Sequence, residues 1–142
     1  KLELKTIDLR KLEKDEILVK VMASTIMPAD LAILQGTYGS FVHKCPIIPG
    51  MEGSGIIIDV GESVDKSLIG KHCSCVVNTS HEFYHGCWSE YMITLSYLCN
   101  VFESKISFDK IFNASGNPLT AIAMLDEIKR MGKKSVAQNG AS

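Results

Sequence analysis

Pro49-Gly50-Met51-Glu52-Gly53-Ser54-Gly55, running on into Ile56-Ile57-Ile58-Asp59-Val60, is the stretch on which the fold turns. Three glycines this close together look like a phosphate loop. Such a loop needs a helix after it, so that backbone N–H groups and the helix dipole converge on the anion. Apolar, β-branched residues follow here instead, and residues 55–60 read as a strand. The glycines are then turn and close-packing residues. Working outward, Ile17, Val19, Val21 and Ala23 alternate with Leu18, Lys20 and Met22, the period of two of a second strand. Residues 72–78 and 88–94 suggest two more, with Gly61, Gly70 and Gly86 as punctuation. Short strands between glycine turns predict a mainly β domain, a barrel or a sandwich.

Two helices interrupt this pattern. Residues 28–34 have proline near the start and Gly36 beyond the end, the asymmetry of a short helix. After Asn113 the composition shifts, and Asn117 and Pro118 supply an N-cap and a first-turn proline for a helix reaching about Met131. Ala121, Met124, Leu125 and Ile128 form one apolar stripe at helical spacing, Lys129 and Arg130 suit a helix C-terminus, and Gly132 can end it. Ser135, Val136 and Ala137 then read as a buried strand and residues 139–142 as a turn. Strand followed by small-residue turn is how a dinucleotide-binding unit opens. No G-x-G-x-x-G is present to test that reading.

At 142 residues the chain suffices for one domain with a real core. Its 15 basic and 16 acidic residues leave a net charge of -1 with no basic cluster, which argues against a nucleic-acid partner. The longest apolar runs fall far short of the ~20 residues of a membrane-spanning helix, so a water-soluble protein is expected. Cys45, Cys73, Cys75, Cys87 and Cys99 are odd in number and irregular in spacing, unlike a disulfide framework. A reducing compartment, cytoplasm or mitochondrial matrix, fits better. The sequence opens on Lys1, so a targeting signal is not readable from it.

Taken in register, Pro28-Ala29-Asp30, Gln35-Gly36-Thr37-Tyr38-Gly39, the Pro49 to Gly55 stretch, Gly86-Cys87-Trp88-Ser89-Glu90-Tyr91 and Asn117-Pro118-Leu119-Thr120-Ala121 resemble the medium-chain dehydrogenase/reductase superfamily. The nearest types are the quinone oxidoreductases and the mitochondrial-type 2-enoyl thioester reductases, which lack zinc. The resemblance implies a partly open, GroES-like β-barrel over residues 1–116. Residues 117–142 would be the interdomain helix and the first strand of a truncated Rossmann domain. It further implies NADPH as cofactor (NADH being possible), a small-molecule substrate in the cleft between domains, and a homodimer formed through the Rossmann domain.

Zinc-dependent members carry a cysteine where this chain has Met27 and a histidine where it has Met51. Methionine is a poor zinc donor, so no zinc is expected. A different metal site, assembled from His72, Cys73, Cys75, His81, His85 and Cys87, is the alternative. Against it, Cys73 and Cys75 read as small core residues on one strand face. Trp88 and Tyr91 read as packing aromatics, and Glu52 as structural, paired or solvent-facing.

By resemblance, Thr120 faces the nicotinamide from the start of the interdomain helix, a place suited to polar contacts with a cofactor. Ordinary helix capping is its competing role. Met27 stands in the polar network beside the cofactor where the family has asparagine, with Asp30 ending that motif. Tyr38 occupies the position of the tyrosine proposed as proton donor in enoyl thioester reductases, with loop packing as the alternative. The expected activity is hydride transfer from NADPH to a carbon-carbon double bond conjugated to a carbonyl, or to a quinone. A catalytically inactive scaffold of the same fold is the rival.

Overall fold

A computed structural model describes residues 2–38, 46–79, 85–103 and 106–137. Five strands form one antiparallel sheet: β1 (Glu16–Ser24), β2 (Glu52–Val60), β3 (His72–Val76), β4 (Tyr91–Leu95) and β5 (Cys99–Phe102), in the order β4-β1-β2-β3-β5. The sheet is not closed among the described residues, since β4 and β5 are its two edges. Mainly β and partly open is the expected architecture.

Alternation in β1 works as the sequence predicts, with Ile17 and Val19 fully buried and Lys20 exposed. Ile57 from β2, Cys73 and Cys75 from β3 and Met92 from β4 join them, and Ile33 of helix α1 (Pro28–Gln35) closes over the cluster. Each large aliphatic buried this way contributes about 1.5–3 kcal/mol. The register between β1 and β2 slips between Leu18 and Val19 and again between Val21 and Ala23. Such bulges strengthen the twist of a sheet and curl it towards a barrel. α1 ends as anticipated: Gly36 is left-handed at φ 70° and its N–H donates to the Ile33 carbonyl at 3.0 Å.

The other boundaries differ in instructive ways. The strand expected over residues 88–94 begins only at Tyr91. Gly86, Cys87 and Trp88 instead donate their N–H groups to the carbonyls of Ile48, Gly50 and Pro49 at 2.8, 2.9 and 2.9 Å. β5 was not anticipated; four residues give too little pattern to see. After the short helix α2 (Phe108–Ile111) comes α3 (Gly116–Arg130), which starts one residue before Asn117, with Ser115 at the N-cap position. Gly132, at φ 64°, ends it as expected. The predicted stripe of α3 buries nothing in this chain: Met124 is 43 % and Leu125 55 % exposed. Ser135, Val136 and Ala137 make no ladder among the described residues, and Val136 is 64 % exposed rather than buried. A strand is defined by its partner, and no described strand lies beside these residues.

Candidate functional site

Where β2 begins, four other parts of the chain meet it. The Glu52 carbonyl accepts the Thr25 N–H at 3.3 Å and the Ser24 hydroxyl at 3.1 Å, tying β2 to the end of β1. The Met51 carbonyl accepts the Val77 N–H at 2.9 Å. Gly50, at φ 99°, lies so close to Trp88 that a Cβ there would collide with the indole. Trp88 in turn donates its Nε1–H to the Thr25 carbonyl at 2.8 Å, a packing and bracing role. Gly53 abuts the Cys87 thiol, and Gly55 the Lys20 backbone. These glycines are close-packing residues, as the strand reading requires.

Asp30 is the polar centre of this junction. It is 1 % exposed, and its two carboxylate oxygens accept the Met27 and Met51 N–H groups, each at 2.8 Å. Those are the two positions where zinc-dependent relatives would carry ligands. A buried carboxylate receiving two N–H donors is fully compensated, so Asp30 acts as a strut between α1 and β2.

Glu52 is buried beside it, and a carboxylate oxygen lies against the Gly116 backbone at the start of α3. Burial pushes the Glu52 carboxyl above its ordinary value. The Gly116 N–H pulls it down and the neighbouring Asp30 charge adds to the rise. The N-terminus of α3 is therefore already occupied by a protein carboxylate. An anionic group brought to that helix start would face Glu52.

Of the residues singled out in advance, Met27 is half-buried at the N-cap position of α1. Thr120 is exposed at the beginning of the second turn of α3, and its hydroxyl donates to the Gly116 carbonyl four residues back at 3.0 Å. That back-bond is neither a cap nor a contact with another element. Thr120 also lines an open apolar groove with Ala123, Met124, Glu127, Ile128 and Val136. Tyr38 is 38 % exposed and lies beyond the far end of α1 from Met27. Eight residues of helix span about 12 Å, so Tyr38 and Met27 are not neighbours along that element. Thr120 is linked to the Asp30–Glu52 junction through Gly116.

The histidine and cysteine alternative does not assemble among the described residues. Among the described residues no group of three or more His, Cys, Asp or Glu side chains is arranged to hold a metal ion. His72 turns to the Ile106 carbonyl at 3.2 Å and stacks on Phe108, while Cys73 and Cys75 point to the opposite face of β3 into the core. His85 reaches the Tyr91 carbonyl at 2.9 Å. His81 and Cys45 lie outside the described residues. The Cys73 thiol is raised by its hydrogen bonding with Cys75 and by burial, and Cys99 by Cys73 and Cys75 together with burial. Protonated, buried thiols of this kind are inert as nucleophiles.

The profile of the alcohol dehydrogenase GroES-like domain matches residues 13–101. The chain belongs to that family. It is 32 % identical over 143 residues to the mitochondrial enoyl-[acyl-carrier-protein] reductase of Caenorhabditis elegans, covering 99 % of this chain and 40 % of that protein. Among solved structures, a Mesorhizobium loti protein assigned as an NADPH:quinone reductase matches with TM-score 0.73 at 31 % identity, over 87 % of this chain and 35 % of that one. The complex of Etr1p with NADP and crotonyl-CoA matches with TM-score 0.61 at 25 % identity, over 84 % and 37 %. The GroES-like chain thus spans well under half the length of these relatives. The order β4-β1-β2-β3-β5 with α3 emerging from it is part of the medium-chain dehydrogenase/reductase fold.

Asp30 and Gly116 were missed as junction residues, and Glu52 was left undecided. Only the spacing of Pro28-Ala29-Asp30 and the glutamate within a glycine cluster hinted at them. Nothing local says that residues 52 and 116 touch.

Proposed function

We propose that this GroES-like chain is the substrate-side domain of a zinc-independent, NADPH-dependent oxidoreductase that reduces an alkene conjugated to a carbonyl, with a quinone as the alternative acceptor. Similarity along almost the whole chain to an enoyl-[acyl-carrier-protein] reductase carries this reading. The resemblance of its fold to a complex holding NADP and crotonyl-CoA supports the same substrate class. Residues 1–116 would form the catalytic barrel and residues 117–142 the connecting helix and the opening of the nucleotide-binding domain. A homodimer through that second domain and a mitochondrial matrix or cytoplasmic setting belong to the same proposal.

In this reading the described residues would meet only the nicotinamide side of such a cofactor. Thr120 and Met27 would border it, while the pyrophosphate needs a glycine turn and free helix N-terminus that α3 does not offer, Glu52 being there. NADPH, when bound, supplies hydride to the β carbon. The chain's own task is to orient the alkene, exclude water and deliver a proton to the α carbon. Tyr38 is assigned the proton, with its phenol O–H as donor. Met27 and Met51 supply no zinc ligand, so the carbonyl would be polarised by hydrogen bonding.

The test is Tyr38→Phe in the intact protein. Ring and packing are retained, so stability should barely change. General-acid catalysis contributes about a hundred- to ten-thousand-fold, and kcat on an enoyl thioester should fall within that range with KM little changed. On a quinone the fall should be smaller, because its oxygens can take protons from water. Equal, small losses on both substrates would return Tyr38 to packing and remove the enoyl reductase assignment. Elemental analysis of the same preparation should find no stoichiometric zinc; one tightly held zinc per chain, lost together with activity, would refute the zinc-independent reading.

A further inference from the structure

One face of the sheet is unusually polar, and all of that polarity is directed at a single segment. Ser54, Ser74 and Asn100 are successive cross-strand neighbours on β2, β3 and β5. Ser54 donates to the Phe108 carbonyl at 2.8 Å, Asn100 to the Ala114 carbonyl at 3.0 Å, and Ser74 accepts the Ser115 hydroxyl at 2.8 Å. His72, on the same face, meets the Ile106 carbonyl. Residues 106–115 are thereby seamed onto the sheet along their length. The seam ends at Glu52 and Gly116, where α3 leaves the barrel.

That last contact is unlike an ordinary helix start. The N-cap residue, Ser115, spends its hydroxyl on Ser74 and caps nothing. What stands at the head of α3 instead is a carboxylate from 64 residues earlier in the chain, with an oxygen packed against the Gly116 backbone. A carboxylate at a helix N-terminus is favoured by the helix dipole. A Cβ at Gly116 would overlap a Glu52 carboxylate oxygen, so a side chain there would push the carboxylate aside. From Gly116 the connection continues, since its carbonyl receives the Thr120 hydroxyl at 3.0 Å. Glu52 carboxylate, Gly116 backbone and Thr120 hydroxyl thus lie in series from β2 to the beginning of the second turn of α3.

We propose that Glu52 is a positioning residue for the nicotinamide side of the site: by holding Gly116 it sets where α3 starts on the barrel and hence where Thr120 stands. The placement of α3 follows from the contacts alone; its consequence for NADPH rests on the function proposed above. Glu52 acts through Gly116 and does not itself touch the cofactor.

The experiment compares Glu52→Ala, Glu52→Gln, Gly116→Ala and the Glu52→Ala/Gly116→Ala double variant in the intact protein. Amide exchange is read without cofactor, and NADPH affinity by titration. Glu52→Ala and Gly116→Ala should each speed exchange over residues 120–123, the first amides bonded within α3, by about threefold to thirtyfold, the effect of loosening a helix start, while amides of β1 and β4 keep their rates. The double variant should be no worse than either single one, because both remove the same contact. Glu52→Gln, which keeps an acceptor oxygen, should stay near the parent. NADPH affinity should weaken in the first two and recover in Glu52→Gln. Unchanged exchange at residues 120–123, an equal rise throughout the sheet, additive effects, or NADPH binding that ignores all variants would each overturn the proposal. If the parent protein binds no NADPH while the exchange pattern holds, the functional reading fails and the placement of α3 by Glu52 stands.

Discussion

Asp30 illustrates how a single side chain can carry a junction. Its two oxygens take two backbone N–H groups from different segments, Met27 at the head of α1 and Met51 before β2, and the group is almost wholly removed from water. An asparagine has the same shape but only one acceptor oxygen, so Asp30→Asn would aim an NH₂ donor at one of the two N–H donors. Leaving a buried donor unsatisfied costs about 1–3 kcal/mol. Asp30→Asn should therefore lower the urea midpoint by an amount equivalent to a loss in that range, with the slope of the transition unchanged. A variant as stable as the parent would mean that the strut is dispensable. The identity of this residue was readable within Pro28-Ala29-Asp30, but its role was not. The resemblance connects it with a polar network beside the cofactor, whereas its hydrogen bonds run to the backbone of the chain's own loops.

At the scale of elements, what the sequence disclosed and what it hid divide along one physical line. β1, α1 and the body of β2 are set by local signals, namely alternation, Pro28 before the helix and Gly36 after it, and an apolar β-branched run, although β2 starts at Glu52 rather than Gly55 because Glu52, Gly53 and Ser54 already pair with β3. These were legible. The start of α3 depends on Glu52, and the start of β4 depends on residues 86–88 being drawn to residues 48–50, so both shifted. Contacts between residues far apart leave no mark in a local pattern. The same reason kept Thr120 ambiguous, because its partner is decided by where Gly116 sits. The β2–α3 contact also predicts a pH dependence. Glu52 has a folded-state pKa raised above its ordinary 4.5, so the folded protein holds that proton more tightly than the unfolded one. Its contribution favours folding below that ordinary value and is lost as pH rises through the raised one. Glu52→Gln cannot titrate. The stability of Glu52→Gln relative to the parent should therefore rise from pH 4 towards neutrality and then level off, measured as the difference between their urea midpoints. A difference independent of pH would show that Glu52 does not titrate on folding.

Across the whole molecule the two halves of the chain are stabilised very differently. The sheet encloses its own core of Ile17, Val19, Ile57, Cys73, Cys75 and Met92, whereas α3 exposes Leu119, Ile122 and Leu125 at 50, 54 and 55 % and is attached through its first residues. A helix of this length is marginal in water without packing along its side. The apolar groove beside Thr120 is open, and the helix N-terminus that could attract phosphate is taken by Glu52. Nothing among the described residues would neutralise or cradle a pyrophosphate, the part of a dinucleotide whose recognition requires a glycine turn and a free helix start. These 142 residues on their own should consequently bind NADPH more weakly than about 10 μM, roughly 7 kcal/mol, however well the barrel folds. Calorimetric titration decides the point, with far-ultraviolet circular dichroism of the same sample to establish that the sheet is formed. Weak or absent binding by a folded barrel agrees with a nicotinamide-side domain whose cofactor affinity is supplied elsewhere in the intact protein. Binding tighter than that limit would place a complete dinucleotide site within these residues, and the division at residue 117 would have to be abandoned.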